Sequence, residues 1–170
     1  MRRAHLVATG HRRIAHIAGW GGSTTGRDRA LGFREGLAAH GLERAAVLDG
    51  MYDREVAAAA TRAIFGRPDR PDAVFVGSDH MAFAVMDTLR GALGLRVPED
   101  VAVIGYDDVP MAAWDGYALT TLRQDAGAMV AAAVGCLMAR LDDPRTPPRR
   151  IRLPAPLVAR RSTRPLAEAP

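Results

Sequence analysis

Two carboxylates stand side by side at Asp107-Asp108, directly after the β-branched, apolar run Val101–Tyr106. Paired carboxylates serve as acid and base, as a metal site or as a phosphoryl acceptor. Adjacent residues at a strand end point in opposite directions, so the two rarely share one ligand. Enzymes that phosphorylate such an aspartate also need a lysine, and this chain has none: every one of its 23 Lys-or-Arg positions is arginine. Asp107 is therefore read as a carboxylate facing a cleft, where it accepts hydrogen bonds from ligand hydroxyls. Asp108 is read as a turn former ahead of Pro110. The second candidate is the loop Gly19-Trp20-Gly21-Gly22-Ser23-Thr24-Thr25-Gly26. It lies between a strand and a helix, where nucleotide-binding loops lie, but fits G-x-G-x-x-G imperfectly and is followed by Arg27 instead of a phosphate-loop lysine. A dinucleotide site, a plain solvent loop and a flexible hydroxyl-rich rim stay open; in the last, Thr25 hydrogen-bonds a polar ligand.

Other chemistries find less support. The five histidines (His5, His11, His16, His40 and His80) show no metal-ligand spacing, and they read as surface or core filler. No G-x-S-x-G elbow supports Ser-His-Asp catalysis. Without lysine, Schiff-base chemistry, pyridoxal-phosphate enzymes and phosphate-loop NTPases are excluded. No enzyme activity, cofactor or metal is expected; a small hydrolase or phosphotransferase built on Asp107 and Asp108 is the minor reading from that class. Aromatic residues make up only 5% of the chain, so Trp20, Tyr52, Trp114 and Tyr117 stand out at loops and element ends. Such positions suit stacking walls for sugars or bases, and equally core or interface packing.

The elements that must hold these residues alternate. A helix Met1–Thr9 closes at Gly10, and a short strand Ile14–Ala18 follows. A helix from about Arg27 to His40 carries Leu31, Phe33, Leu37 and Ala38 on its apolar side, with Gly41 as its stop. Ala45–Leu48 is a strand, and Asp53 caps a helix running through Phe65. Ala73–Val76 is a buried strand, after which Ser78 or Asp79 caps a helix His80–Leu93. Val101–Tyr106 is the cleanest strand, Leu119–Arg123 is extended, and Asp125 caps a long Ala-rich helix to about Leu141. Beyond Pro144, Pro147 and Pro148 come two short extended pieces, Ile151–Leu153 and Leu157–Arg160, and a frayed tail. Strands alternating with helices predict an α/β fold, a parallel sheet flanked by helices on both faces. Ligands of such sheets bind at the carboxyl ends of the strands, near a topological switch, and every loop singled out above follows a strand.

Length and composition agree with that outline. The 170 residues, 48% hydrophobic and 25% charged, suit a globular chain with a real core. There is no membrane-spanning run and no signal-peptide core at the N-terminus, so a cytoplasmic protein is expected. The single Cys136 is read as a buried apolar residue beside Val134 and Leu137. A net charge of +4 would suit nucleic acid, but the arginines are scattered and lack interleaved aromatics, so this chain is not expected to bind it directly.

Five stretches, in order, resemble one family. They are His5–Gly19, the helix start Arg27-Asp28-Arg29-Ala30-Leu31-Gly32-Phe33, the segment Ala73-Val74-Phe75-Val76-Gly77-Ser78-Asp79-His80-Met81-Ala82, the run Leu95–Asp108, and Leu119-Thr120-Thr121-Leu122-Arg123-Gln124. Together they are similar to the lac and gal repressor family, whose core shares the periplasmic sugar-binding fold. The resemblance implies a periplasmic-binding-protein-like, Rossmann-like subdomain. It implies that Arg29 reaches the effector, that Asp107 accepts from it, that Tyr52 is an aromatic wall and that Gln124 lines the cleft at the crossover between subdomains. Ser78 stands where many relatives carry a sugar-contacting Asn. The chain contains no Asn at all, and a serine reaches less far and offers one donor where an amide offers two.

The same resemblance implies an organisation. Residues 1–124 correspond to the C-terminal effector-binding subdomain, 125–148 to a returning helix, and 149–170 to terminal strands and tail. The stripe Met129, Val130, Ala133, Val134, Leu137 and Met138 would pack on an N-terminal subdomain, and without it the helix is expected to drive self-association or to be displaced. The helix His80–Leu93 and the loop near Trp114 are expected at a homodimer interface. Relatives begin with a helix-turn-helix that recognises operator DNA, and none precedes Met1. The expected function is therefore binding of a sugar-like effector and dimerisation for a DNA-binding regulator, with half a cleft that binds ligand weakly or not at all. The alternative is a solute-binding protein of a sugar transporter.

Overall fold

The computed structural model describes residues 4–166, so Met1–Arg3 of the predicted first helix and the end of the predicted tail, 167–170, lie outside the described residues. The chain runs α1 (Ala4–Ala8), β1 (Ile14–Ala18), α2 (Thr24–Ala38), β2 (Ala46–Asp49), α3 (Arg54–Phe65), β3 (Ala73–Val76) and α4 (Asp79–Asp87). It continues through β4 (Ala102–Asp107), β5 (Thr120–Arg123), α5 (Ala126–Asp142) and β6 (Leu157–Val158). The strands form one sheet in the order β2-β1-β3-β4-β5-β6, with β1 to β5 parallel and β6 antiparallel to β5. The chain leaves β1 toward β2 on one side and returns as β3 on the other, which opens a crevice at the carboxyl edge.

Alternation along the strands divides the core between two faces. Ala15, Ile17, Val74, Val76 and Val103 meet Ala57, Ile64, Phe83 and Met86 of α3 and α4. Ile14, Ala73, Ala102 and Ile104 meet Leu6 of α1 and Phe33 and Leu37 of α2. Helices therefore cover both faces, as the alternating pattern implies.

Caps fix where the helices start. Asp53, Ser78 and Asp125 accept from the backbone N–H groups of Val56, Met81 and Ala128, as expected of N-caps. Ser23 accepts from Gly26 N at 2.9 Å, so α2 begins at Thr24, three residues earlier than predicted. Its buried side is Gly26, Gly32, Phe33, Gly36 and Leu37, whereas Leu31 and Ala38, expected on the apolar side, face water. The rotation follows from spacing: 26, 33 and 37 form one helical stripe, and 31 falls outside it.

Other expectations are corrected. The segment His80–Leu93 is α4 followed by a π-helical turn, Thr88–Ala92. Met81, Phe83, Val85 and Met86 of α4 are fully buried in the core of this chain, not turned toward a partner. Ile151–Leu153 pairs with nothing; the last strand is only Leu157–Val158, because only that stretch lies beside β5. Cys136 is half-buried on a helix that has no buried residue, so it is not the core filler expected. The segment after β6 is tied in by Ser162, whose hydroxyl accepts from Thr120 N and donates to Val103 O, both at 2.7 Å.

His16 occupies the middle of β1 with its ring between Phe33 and Phe75. Nδ1 lies 2.9 Å from the Phe75 carbonyl, while Nε2 has no protein partner. Burial pulls its pKa down to about 4, against smaller upward pulls from the Phe75 carbonyl and Asp49. The folded protein thus keeps the ring neutral where the unfolded chain would protonate it. That stability is whole above the unfolded value of 6.5 and is lost as pH falls toward about 4. Denaturant melts should show a loss of about 2 kcal/mol between pH 7 and pH 5 from this ring, and His16→Leu should remove that part of the slope. An unchanged slope would show that His5 and His11, also lowered by burial, account for it instead.

Candidate functional site

The carboxyl ends of β1, β2, β3 and β4 bring together Gly19, Tyr52, Gly77, Ser78 and Asp107. Arg29 reaches them from α2. Its Nη1 donates to the Gly77 carbonyl, its Nη2 lies 3.2 Å from Asp107 Oδ1, and its Cζ sits 3.8 Å from the centre of the Tyr106 ring. The guanidinium is thereby held by a carbonyl, a carboxylate and an aromatic face at once. The ion pair is largely enclosed: the side chains of Arg29 and Asp107 retain 10% and 23% of their exposure. Gln124, just past β5, donates its Nε2 to the same Oδ1, and its backbone N–H reaches the Asp107 carbonyl at 3.2 Å. Both donors converge on Oδ1, and among the described residues no side chain donates to Oδ2. The side-chain donors thus anchor one carboxylate oxygen, and the backbone of Asp79 adds a further hydrogen bond to the carboxylate.

Burial raises the pKa of Asp107, and Arg29 and Gln124 pull it back only in part. The backbone is committed as well. Asp107 has φ 134° and Asp108 φ 61°, while Met51 and Tyr52 after β2 have φ 56° and 58°. Non-glycine residues in this region cost about 1–3 kcal/mol each and persist where the surroundings impose them. Four of them at one sheet edge mark a place where side-chain direction outweighs backbone comfort. Tyr52 lays its ring over Gly19, where an added Cβ would sit only 2.0 Å from the ring, so any side chain there would displace the tyrosine.

The two adjacent aspartates do face different ways. Asp108 is more than a turn former: its Oδ2 accepts from Arg123 Nε at 2.6 Å, and its Oδ1 lies 2.8 Å from Arg160 Nη2. The second contact has ion-pair distance without hydrogen-bond alignment. Although burial opposes it, the two arginines hold the Asp108 carboxyl below the usual range. It pins β4 to the ends of β5 and β6.

Sequence reasoning missed the residue underneath. Asp79, with no exposed surface, accepts from Thr121 Oγ1 at 2.6 Å and from Val109 N at 3.0 Å. Burial raises its pKa despite those donors. A Cβ at Gly105 would lie 2.2 Å from its Oδ1, so that glycine makes room for the carboxylate. The signal available was a lone acid inside the apolar segment Ala73–Ala82, together with a glycine inside the cleanest strand.

The remaining predicted residues fall as follows. Thr25 lies on the first turn of α2, not on a loop; it is exposed and one turn before Arg29 on the same helix face. Ser78 is buried and already accepts from Met81 N at 3.4 Å as a helix cap, which leaves its hydroxyl proton for another acceptor. Trp20 and Trp114 are exposed, and Tyr117 packs on Phe83 with its hydroxyl 3.4 Å from Asp87. Among the described residues no group of His, Cys, Asp and Glu is arranged to hold a metal ion, and no helix is long and apolar enough to cross a membrane.

Comparison with known proteins gives consistent results. The family model described as a periplasmic binding protein-like domain matches residues 4–163. The chain is 41% identical over 161 residues to the HTH-type transcriptional regulator CelR of Thermobifida fusca, which covers 92% of this chain and 46% of that protein. Among solved structures, the transcriptional regulator CelR–cellobiose complex matches with a TM-score of 0.87 and 39% identity, over 95% of this chain and 50% of that one. The lac repressor dimer bound to operator and the anti-inducer ONPF matches with a TM-score of 0.86 and 30% identity, over 94% and 48%. The chain spans about half the length of the curated relatives it matches.

Removing Arg29 strands Asp107 beside buried Asp79. Arg29→Ala should lower stability by about 2–3 kcal/mol at pH 7. Because a buried acid without its cation protonates more readily when folded, the deficit should shrink as pH falls from 7 toward 5. A pH-independent deficit in denaturant melts would mean that the ion pair is not what Arg29 supplies.

Proposed function

The chain belongs to the periplasmic binding protein-like domain family, and we propose that it is the effector-sensing region of a cytoplasmic, homodimeric transcription regulator of the lac repressor type. The observation that carries this reading is the Arg29–Asp107–Gln124 constellation, with one oxygen of Asp107 unclaimed by any side chain. An anchored carboxylate and a fixed guanidinium suit a ligand rich in vicinal hydroxyls, which give and accept hydrogen bonds at neighbouring positions. Tyr52 over Gly19 supplies a flat apolar wall for a sugar ring, and Thr25 and Ser78 add hydroxyls at either side. The relatives matched are transcription regulators, so the transporter reading has no specific observation in its favour. Nothing in the constellation sets a nucleophile beside a general base, which fits a binding role better than an enzymatic one.

Function in such a regulator is a shift of population. A ligand that prefers one arrangement of two lobes changes the balance between them, and so the affinity for operator DNA carried by a helix-turn-helix. This chain contributes one wall of the cleft. Cellobiose, the ligand in one related complex, is the first probe. In ¹H–¹⁵N spectra it should move Gly77, Asp107, Asp108 and Gln124 with a Kd in the range of about 1–10 mM, weak because one wall carries all the contacts. Asp107→Ala should abolish the shifts. Shifts scattered elsewhere, or unchanged by that substitution, would overturn the reading.

α5 carries the second part of the proposal. It departs after β5 and the chain returns as β6 beside the same strand, so the helix is an excursion from the sheet. It has no buried residue, and Met129, Val130, Val134, Leu137, Met138 and Leu141 are all exposed. Residues 125–148 are proposed to pack on the sheet of an N-terminal subdomain in the intact regulator. Alone, the chain should sediment as a dimer or larger, and Val134→Glu with Leu137→Glu should shift it to monomer. A monomeric parent chain with α5 protected from hydrogen exchange would contradict this.

A further inference from the structure

α2 has a second flank that carries charged side chains. Arg29 leaves the helix toward β3 and β4, while Arg27, Leu31 and Arg34 lie on the opposite side, one helical turn apart, and face the edge strand β2. Between that flank and β2 lies a cavity of about 340 Å³, with Phe33 and His16 at its inner end and Val47 as its far wall. Ligand sites for small molecules span about 300–1,000 Å³ and are mostly apolar, with a few placed polar groups, and this cavity meets both conditions. Leu31 and Val47 remain 45% and 37% exposed, because α2 stops short of covering the edge strand and leaves a slot between them.

The charge around the slot has one sign in excess. Arg27, Arg34 and Arg44 line it against Asp28 and Asp49. Asp28 has its own cation, Arg150, at 3.6 Å. Arg27 donates to the carbonyls of Gly21 and Gly22, contacts that hold it without neutralising it. Among the described residues, Arg34 and Arg44 make no ion pair. An unpaired guanidinium beside an apolar slot is matched by a carboxylate, which it can hold by two parallel hydrogen bonds. The slot itself, bounded by one helix flank and one strand, fits a flat body.

We propose that this cavity is a second ligand site, separate from the Arg29–Asp107 crevice, and that it takes a small aromatic carboxylate. The ring lies between Leu31 and Val47 toward Phe33, and the carboxylate is held by Arg34 and Arg44. The cavity adjoins the crevice at Gly19, but no residue of the Arg29–Asp107–Gln124 constellation lines it.

Benzoate and its neutral counterpart benzamide test the assignment in ¹H–¹⁵N spectra of the chain. Benzoate should give saturable shifts at Leu31, Arg34 and Val47 with a Kd of about 1 mM or tighter, and benzamide should bind about tenfold more weakly. Arg34→Glu, an exposed substitution, should weaken benzoate about tenfold and leave benzamide unchanged, while Leu31→Glu should weaken both. The proposal is overturned if neither probe saturates, if the two bind alike, if Arg34→Glu changes nothing, or if the shifts centre on Gly77, Asp107 and Gln124.

Discussion

A carboxylate with no access to water must find its hydrogen-bond donors inside the protein, and Asp79 finds them on two other segments, β5 and the loop after β4. It starts α4 at the end of β3, takes the hydroxyl of Thr121 from β5, and takes the backbone N–H of Val109 from the loop after β4. Removing a donor from a buried acid leaves its desolvation uncompensated, so each of these contacts is costly to break. The constraint propagates. β4 can pass Asp79 only with glycine at 105, and the chain beyond β4 must turn so that Val109 presents its N–H. That turn begins at Asp107 and Asp108, both at positive φ.

The turn at positive φ sets where each of the two adjacent aspartates points. Were the strand to continue in extended geometry, alternate side chains would point to the two faces of the sheet. With both residues at positive φ, Asp107 turns toward Arg29 and Gln124, and Asp108 turns toward Arg123 and Arg160. Four side chains from three segments are sorted between two neighbours. One aspartate faces the crevice with one oxygen that no described side chain claims, and the other locks β4 to the strands through which the chain leaves and returns. The crevice-facing carboxylate and the one that ties β4 to β5 therefore sit one peptide apart, and the first is bonded to Gln124 at the start of the crossover into α5.

The legible part of this arrangement is the part that repeats along the sequence. Strand periodicity, caps at Asp53, Ser78 and Asp125, and the stop at Gly10 follow from local chemistry, and the structure agrees with each. The resemblance to a known family named Arg29, Asp107, Tyr52 and Gln124 as one group, and the structure draws Arg29, Asp107 and Gln124 onto a single oxygen. What stayed hidden depends on which groups meet in space. Asp79 reads as one more residue at a helix start, because its partners are 30 and 42 positions away. The start of α2 was misplaced because Ser23 sits inside a glycine-rich stretch, where a cap and a loop residue look alike. The resemblance implies a partner-facing helix at His80–Leu93, yet Met81, Phe83, Val85 and Met86 pack on the chain's own sheet. The resemblance says where the helix lies and not which of its sides faces inward.

The exposure of α5 and the weakness expected of a one-walled cleft have a common origin. In a doubly wound sheet each helix connects parallel strands and is buried by that crossover. α5 connects β5 to an antiparallel neighbour, a link that a short turn could make, so the sheet has no need of a helix there. Seventeen residues of helix with six large apolar side chains in water are therefore unaccounted for by the fold they leave and rejoin. An apolar surface of that kind persists in a protein when it is covered elsewhere. Gln124, which touches Asp107, comes directly before Asp125, which caps α5. The start of α5 is thus one residue from the Asp107–Gln124 contact, while its far end rejoins the sheet only at β6, so the exposed helix is tied to the crevice edge at its first turn.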